Sequence, residues 1–306
     1  MPTTPLKGQV ALVAGATRGA GRAIALELAR AGAYVYATGR SSRTAGRSEI
    51  DRPETVEETG DLIAGLGGAG LGLRVDHLQQ DEVRALVSRI DREQGRLDVL
   101  VNDMFGGDRY AQWDKKLWEH DVTGGLRMLE MGVHTHLITA AAALPLLLRG
   151  ERGLVVEMTD GTREYNRNFR AQVGFYYDLV KASVDRITLG LAAELADTPV
   201  TAVGVTPGWL RSEQMLEGFS VTEETWRDAC RTEPGFAISE SPVYVARGVA
   251  ALAADPDCAR WGGQIATARQ LADTYDVTDV DGTRPDCWGL LAAQAVDPSV
   301  RIEDFR

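Results

Sequence analysis

Short runs of consecutive apolar residues alternate with longer stretches in which apolar positions recur every three or four residues. The first pattern predicts buried strands and the second amphipathic helices. Residues 9–14, 33–38, 71–75, 97–101, 153–158 and 200–206 read as strands, with 263–268 as a last one. Residues 22–31, 53–66, 80–94, 133–148, 175–195, 222–231 and 242–254 read as helices. Pro53 suits a first helical turn, and acidic residues near that end favour the helix dipole. Strand and helix in strict alternation predict an α/β fold, a doubly wound parallel sheet covered on both faces. No repeat, low-complexity stretch or Pro/Gly/Ser-rich linker divides the chain, so a single domain is expected.

The first strand runs directly into Gly15-Ala-Thr17-Arg18-Gly19-Ala-Gly21, and a helix follows at once. Glycines at this spacing let the backbone turn tightly and approach a dinucleotide, whose pyrophosphate gains from the helix N-terminus. A plain strand-to-helix turn would account for one glycine but hardly for three in this register. At the end of the second strand a carboxylate would bind a ribose 2′-hydroxyl and repel a 2′-phosphate. The chain instead has Thr38-Gly39-Arg40-Ser41-Ser42-Arg43. Arg18 and Arg40 can converge on one phosphate, since arginine forks suit phosphate oxygens. NADP(H) is therefore the expected cofactor.

Far downstream, Tyr177 and Lys181 stand four apart on a predicted helix, and so on one face of it. A free tyrosine, with a pKa of about 10, is a poor acid or base at neutral pH. A nearby lysine cation favours the phenolate and brings that pKa toward the working range. Such a pair suits moving a proton while a cofactor moves a hydride. Alone, Tyr-x-x-x-Lys is more often an ordinary helix face; the glycine turn changes that weighting.

Composition narrows the partners. The 306 residues carry 33 basic and 44 acidic side chains, a net charge of −11 that disfavours nucleic acid or an anionic membrane as the main partner. Cys230, Cys258 and Cys287 are widely spaced, giving neither a disulfide framework nor a zinc knuckle, which fits a reducing cytoplasm. The first residues lack a signal-peptide core, and the apolar run 137–148 is too short to span a bilayer and contains Pro145. His134 and His136 have no evident third ligand, so no metal is expected.

Over roughly residues 8–270 the chain resembles the short-chain dehydrogenase/reductase family. The matching elements are Gly15-x-x-x-Gly19-x-Gly21, Val75-Asp76, Leu97-Asp-Val-Leu-Val-Asn102, Tyr177-x-x-x-Lys181 and Pro207-Gly208 with Ser212 beyond. The resemblance implies a Rossmann-like sheet and an NAD(P) cofactor. It places Asp76 at the adenine, Asn102 at the adenosine ribose and Ser212 near the nicotinamide carboxamide. Tyr177 becomes the proton donor, and Lys181 holds the nicotinamide ribose while lowering the tyrosine pKa. The family's dimers and tetramers make a homo-oligomer the expectation by analogy.

Two members of the family's usual catalytic set are missing. Asp160 falls at the serine position with Thr159 beside it, and the helix asparagine would fall near Gly132. Either Asp160 is protonated and donates, or Thr159 rotates in while Asp160 faces outward, or an ionised Asp160 favours a cationic acceptor such as an iminium. A turn aspartate before Gly161 is an equally good account of Asp160. As loops beyond the strand C-termini, residues 106–129 and 161–174 are expected to form much of the substrate mouth, their Tyr110, Trp113, Trp118, Tyr165 and Phe169 suiting a bulky or polycyclic molecule. Trp209 and residues 215–238 are candidates for a lid. Residues 1–271 are expected to be the NADP-binding domain, with 272–306 an extension over the cleft or a neighbouring subunit. The expected function is NADPH-dependent reduction of a carbonyl or C=N centre in a small or medium molecule. The alternative is a non-catalytic NADP-binding sensor or structural homologue.

Overall fold

The computed structural model describes residues 4–306. Seven parallel strands form one sheet in the order β3-β2-β1-β4-β5-β6-β7. They are β1 (Val10–Ala14), β2 (Tyr34–Gly39), β3 (Ala69–Arg74), β4 (Val99–Asn102), β5 (Gly153–Met158), β6 (Val200–Thr206) and β7 (Ile265–Thr267). β1, β4 and β5 are buried along their whole length, as apolar runs covered on both faces should be. Helices Gly19–Arg30, Pro242–Ala254 and Ala268–Tyr275 supply one core. Helices Gln80–Gln94 and Thr135–Leu147 build the other on the opposite face. The result is a Rossmann-like doubly wound sheet, whose strand order reverses between β1 and β4, the place where such sheets open a crevice.

Three local expectations differ from the structure. The second helix is Val56–Gly65, entered at Thr55, whose amide donates to the Glu58 carboxylate at 3.3 Å, which leaves Pro53 outside it. Much of 106–129 is not loop: Asp121 accepts hydrogen bonds from the Thr123 and Gly124 amides and starts helix Val122–Leu129. That helix passes through a π-helical turn, Glu130–His134, into Thr135–Leu147. The segment 222–231 contains only a 3₁₀ turn, Trp226–Arg231.

Residues beyond β6 are tied to the C-terminal segment by a buried cation. Arg211 is fully buried, pairs with Glu223 at 2.7 Å and Asp279 at 3.3 Å, and lies 4.3 Å from the Trp226 ring centroid. Removing one partner of such a pair strands the other charge and typically costs about 3–5 kcal/mol. Helix Cys287–Val296 thereby packs onto the same chain's Pro207-Gly208 turn, where Trp288 Nε1 donates to the Pro207 carbonyl at 2.8 Å. A Cβ on Gly208 would lie 2.6 Å from Cys287 Cβ, so this packing requires glycine there.

Candidate active site

A cavity of about 900 Å³ opens at the C-terminal ends of the strands. Its floor is the turn after β1. Gly15 has φ +93°, and a Cβ there would meet the Asp103 carbonyl oxygen at 2.4 Å. Gly21 does not line the cavity; its role is close packing, since a Cβ would sit 2.4 Å from the Gly15 carbonyl oxygen. Gly19 begins the helix with φ +58°, and its amide donates to Glu213 Oε2 at 2.9 Å. The Glu213 carboxylate shows that this helix end takes anionic oxygen, the chemistry a dinucleotide pyrophosphate offers once Glu213 gives up the amide.

Around this floor the expected cofactor residues separate. Thr17, Arg18, Asp76, Pro207, Gly208 and Ser212 line the cavity. Arg18 has no ion-pair partner among the described residues, whereas Arg40 Nη1 donates to Glu49 Oε1 at 2.8 Å. Burial pushes the Glu49 carboxyl up, but hydrogen bonds from Arg127 and Arg40 outweigh it and hold its pKa at about 2. Arg40 therefore lines the cavity already bonded to an anion, and only Arg18 is uncommitted. Asp76 Oδ1 accepts the Leu78 amide at 3.0 Å, and Ser212 caps helix Glu213–Gly218 through the Met215 amide.

Asn102 is the clear departure from the family expectation. It is fully buried away from the cavity, donating through Nδ2 to Glu157 Oε1 at 2.8 Å. Glu157 in turn holds His136, whose Nε2 pairs with the Met104 carbonyl at 3.0 Å. This internal polar chain, with glutamate and histidine next to the strand end, claims Asn102 for the interior. Asp103 reaches the cavity in its place, and burial pushes its pKa up to about 6. His134 is exposed, and no group of three metal-capable side chains occurs among the described residues.

The reactive wall is built from β5 and helix Phe175–Glu194. Tyr177 donates to Asp160 Oδ2 at 3.1 Å, so Asp160 faces inward. Thr159 also lines the cavity, but its hydroxyl donates to the Lys181 carbonyl on the helix backbone at 3.0 Å. The residue that sequence reasoning missed is Arg170. It is buried, donates through Nη1 to the same Asp160 Oδ2 at 3.2 Å, and through Nε to Asp178 at 3.0 Å. Asp178 follows Tyr177 directly, but nothing in one-dimensional spacing couples it to an arginine eight residues earlier.

Burial and Asp160, rather than Lys181, dominate the surroundings of the Tyr177 hydroxyl. Tyr177 is held well above its ordinary pKa by burial first, then by the Asp160 charge, with Arg170 opposing. Burial lowers the Lys181 pKa, and its Nζ lies 3.8 Å from the Phe105 ring centroid and 5.4 Å from that of Tyr177. The phenol is thus kept protonated in the free protein. At the asparagine position, Gly132 sits inside the π-helical turn, and a Cβ there would lie 2.5 Å from Val180 Cγ1. No larger side chain fits between those helices.

Of the five mouth aromatics, Trp113 and Tyr165 line the cavity. The Trp113 and Tyr177 ring centroids lie 5.5 Å apart with the rings tilted, and those of Tyr165 and Trp288, on the C-terminal helix, lie 5.1 Å apart. Tyr110 packs instead with Met128 and Tyr176, while Trp118 and Phe169 are exposed. Trp209, Met215 and Ile238 complete the far side together with Leu291.

The short chain dehydrogenase family profile matches residues 9–221. The chain belongs to that family. It is 34% identical over 284 residues to dehydrogenase/reductase SDR family member 1 of Mus musculus, covering 91% of this chain and 85% of that one. It is 28% identical over 225 residues to a 7alpha-hydroxysteroid dehydrogenase of Clostridium sardiniense, covering 73% of this chain and 78% of that one. A crystal structure of a short-chain type dehydrogenase/reductase from Mycobacterium marinum shares the fold with a TM-score of 0.69 and 25% identity, over 86% of this chain and 95% of that one. Family members are oxidoreductases that use nicotinamide cofactors on small molecules, and this chain is one of them. Among the described residues no helix is long and apolar enough to cross a membrane.

Proposed function

We propose that the protein is an NADPH-dependent reductase of a carbonyl or C=N centre in a small or medium organic molecule. The reading rests on one observation above the others: the protonated Tyr177 hydroxyl shares a single cavity with the glycine turn and the unpaired Arg18. The cofactor supplies a hydride. Arg18 binds the 2′-phosphate, with Arg40 contributing less because Glu49 already holds it. The turn amides and helix end hold the pyrophosphate, Lys181 the nicotinamide ribose, and Tyr177 delivers the proton. Aromatic walls from Trp113, Tyr165 and Trp288 suit a bulky or polycyclic substrate, in keeping with the hydroxysteroid dehydrogenase among its relatives. The 272–306 extension serves as the roof of the same chain's cleft, and a cytoplasmic homodimer or homotetramer is the proposed setting.

The experiment is NADPH and NADH oxidation against a panel of ketones, ortho-quinones and cyclic imines. NADPH is expected to support turnover at least about tenfold better, as one to two lost charged hydrogen bonds predict. Tight NADPH binding with no turnover, unaltered by Tyr177→Phe, would establish the sensor or structural reading instead.

A further inference from the structure

The two donors of the reactive wall meet on one oxygen. Tyr177 Oη and Arg170 Nη1 lie 3.1 and 3.2 Å from Asp160 Oδ2. A negatively charged oxygen held by a phenol and a second donor is the arrangement that the oxygen of a carbonyl under reduction requires. In this protein the second donor is a guanidinium. Arg170 is only 5% exposed and lines the cavity, and its Nη2 has no hydrogen-bond partner among the described residues. A buried cationic N–H left unpaired costs free energy that an acceptor on a ligand would recover.

We propose that Arg170 donates the second hydrogen bond to the reacting oxygen through its unpartnered Nη2, while Asp160 and Asp178 keep Nη1 and Nε and the Tyr177 hydroxyl turns from Asp160 to the substrate, and that the substrate is accordingly a carbonyl compound rather than an iminium. This rests on the reductase reading and narrows it. Hydride adds to the carbonyl carbon, the C=O π pair moves onto oxygen, and the Tyr177 proton closes the alcohol. Arg170 keeps its own protons throughout and stabilises the oxygen as charge develops there. The same cation disfavours an iminium, because it sits beside the carboxylate that would otherwise attract one.

The test is NADPH oxidation by the wild type, Arg170→Gln and Arg170→Lys with phenanthrenequinone and with dihydroisoquinoline, alongside NADPH binding by fluorescence titration. Arg170→Gln is expected to lower kcat for the quinone about 100-fold, the size of a lost transition-state donor, with NADPH affinity unchanged. Arg170→Lys, which keeps the charge and loses the fork, should fall between and serves if the glutamine variant does not fold. Unchanged quinone turnover in both variants, a loss explained wholly by weaker NADPH binding, or wild-type turnover of the imine alone would overturn the proposal. A wild type that binds NADPH and reduces neither probe fails the reductase reading itself, and the assignment of Arg170 falls with it.

Discussion

The cofactor floor and the reactive wall lie in one cavity but are specified in different ways. The floor is set by residues contiguous in sequence: Gly15, Gly19 and Gly21 each answer a requirement of the same turn, and backbone sterics leave little choice. The wall is set by side chains from β5, the 161–174 segment and helix Phe175–Glu194, each adjusted to the others. Asp160 at the position expected for a serine stands bonded to Arg170, which Asp178 also holds, and to the Tyr177 hydroxyl. The floor is a motif, whereas the wall is a network, and one member of a network carries little information alone.

If the wall transfers the proton, Tyr177→Phe removes the general acid and should lower kcat by about 10²–10⁴-fold, with NADPH affinity unchanged by titration. An equal loss of NADPH binding would merge the two regions into one. On the floor, Arg18→Ala should weaken NADPH about 10–100-fold and leave NADH unaffected, while Arg40→Ala should do markedly less. Measured Kd values for both cofactors check this, and equal effects of the two variants would show that Glu49 releases Arg40.

The wall's missing asparagine offers a stability test. Gly132→Asn forces a side chain against Val180 and Phe105, so it should destabilise by about 1–3 kcal/mol in denaturant melts and fail to raise activity. Smallest is a pH effect from Asp160→Ser. The variant retains the burial that raises the Tyr177 pKa but removes the Asp160 charge, so the tyrosine pKa should fall. Reduction needs the protonated phenol, so the alkaline limb of the kcat profile should move to lower pH. A limb that moves upward or stays in place would remove Asp160 from control of Tyr177.

Some of the wall was legible in sequence. The i, i+4 spacing of Tyr177 and Lys181 and the position of Asp160 after β5 were readable because each depends on a local element. The inward turn of Asn102 was not legible because its partner Glu157, itself held by His136, comes from β5, and only the folded sheet brings them together. The loop expected at 106–129 contains a capped helix because Gly124 and Gly125 allow close approach of Tyr110 and Tyr176, a tertiary reason that outweighs glycine's weak helix propensity.

The sequence by itself determined the alternation of strands and helices, the dinucleotide turn and the Tyr177/Lys181 pair, since these follow from periodicity and backbone geometry within short windows. Only the tertiary structure decided that Asp160 faces inward, that Arg170 meets it and that Thr159 does not. Those outcomes depend on which polar groups find partners across the fold, because a buried charge such as Arg170 left without one costs more than its neighbours in sequence can offset.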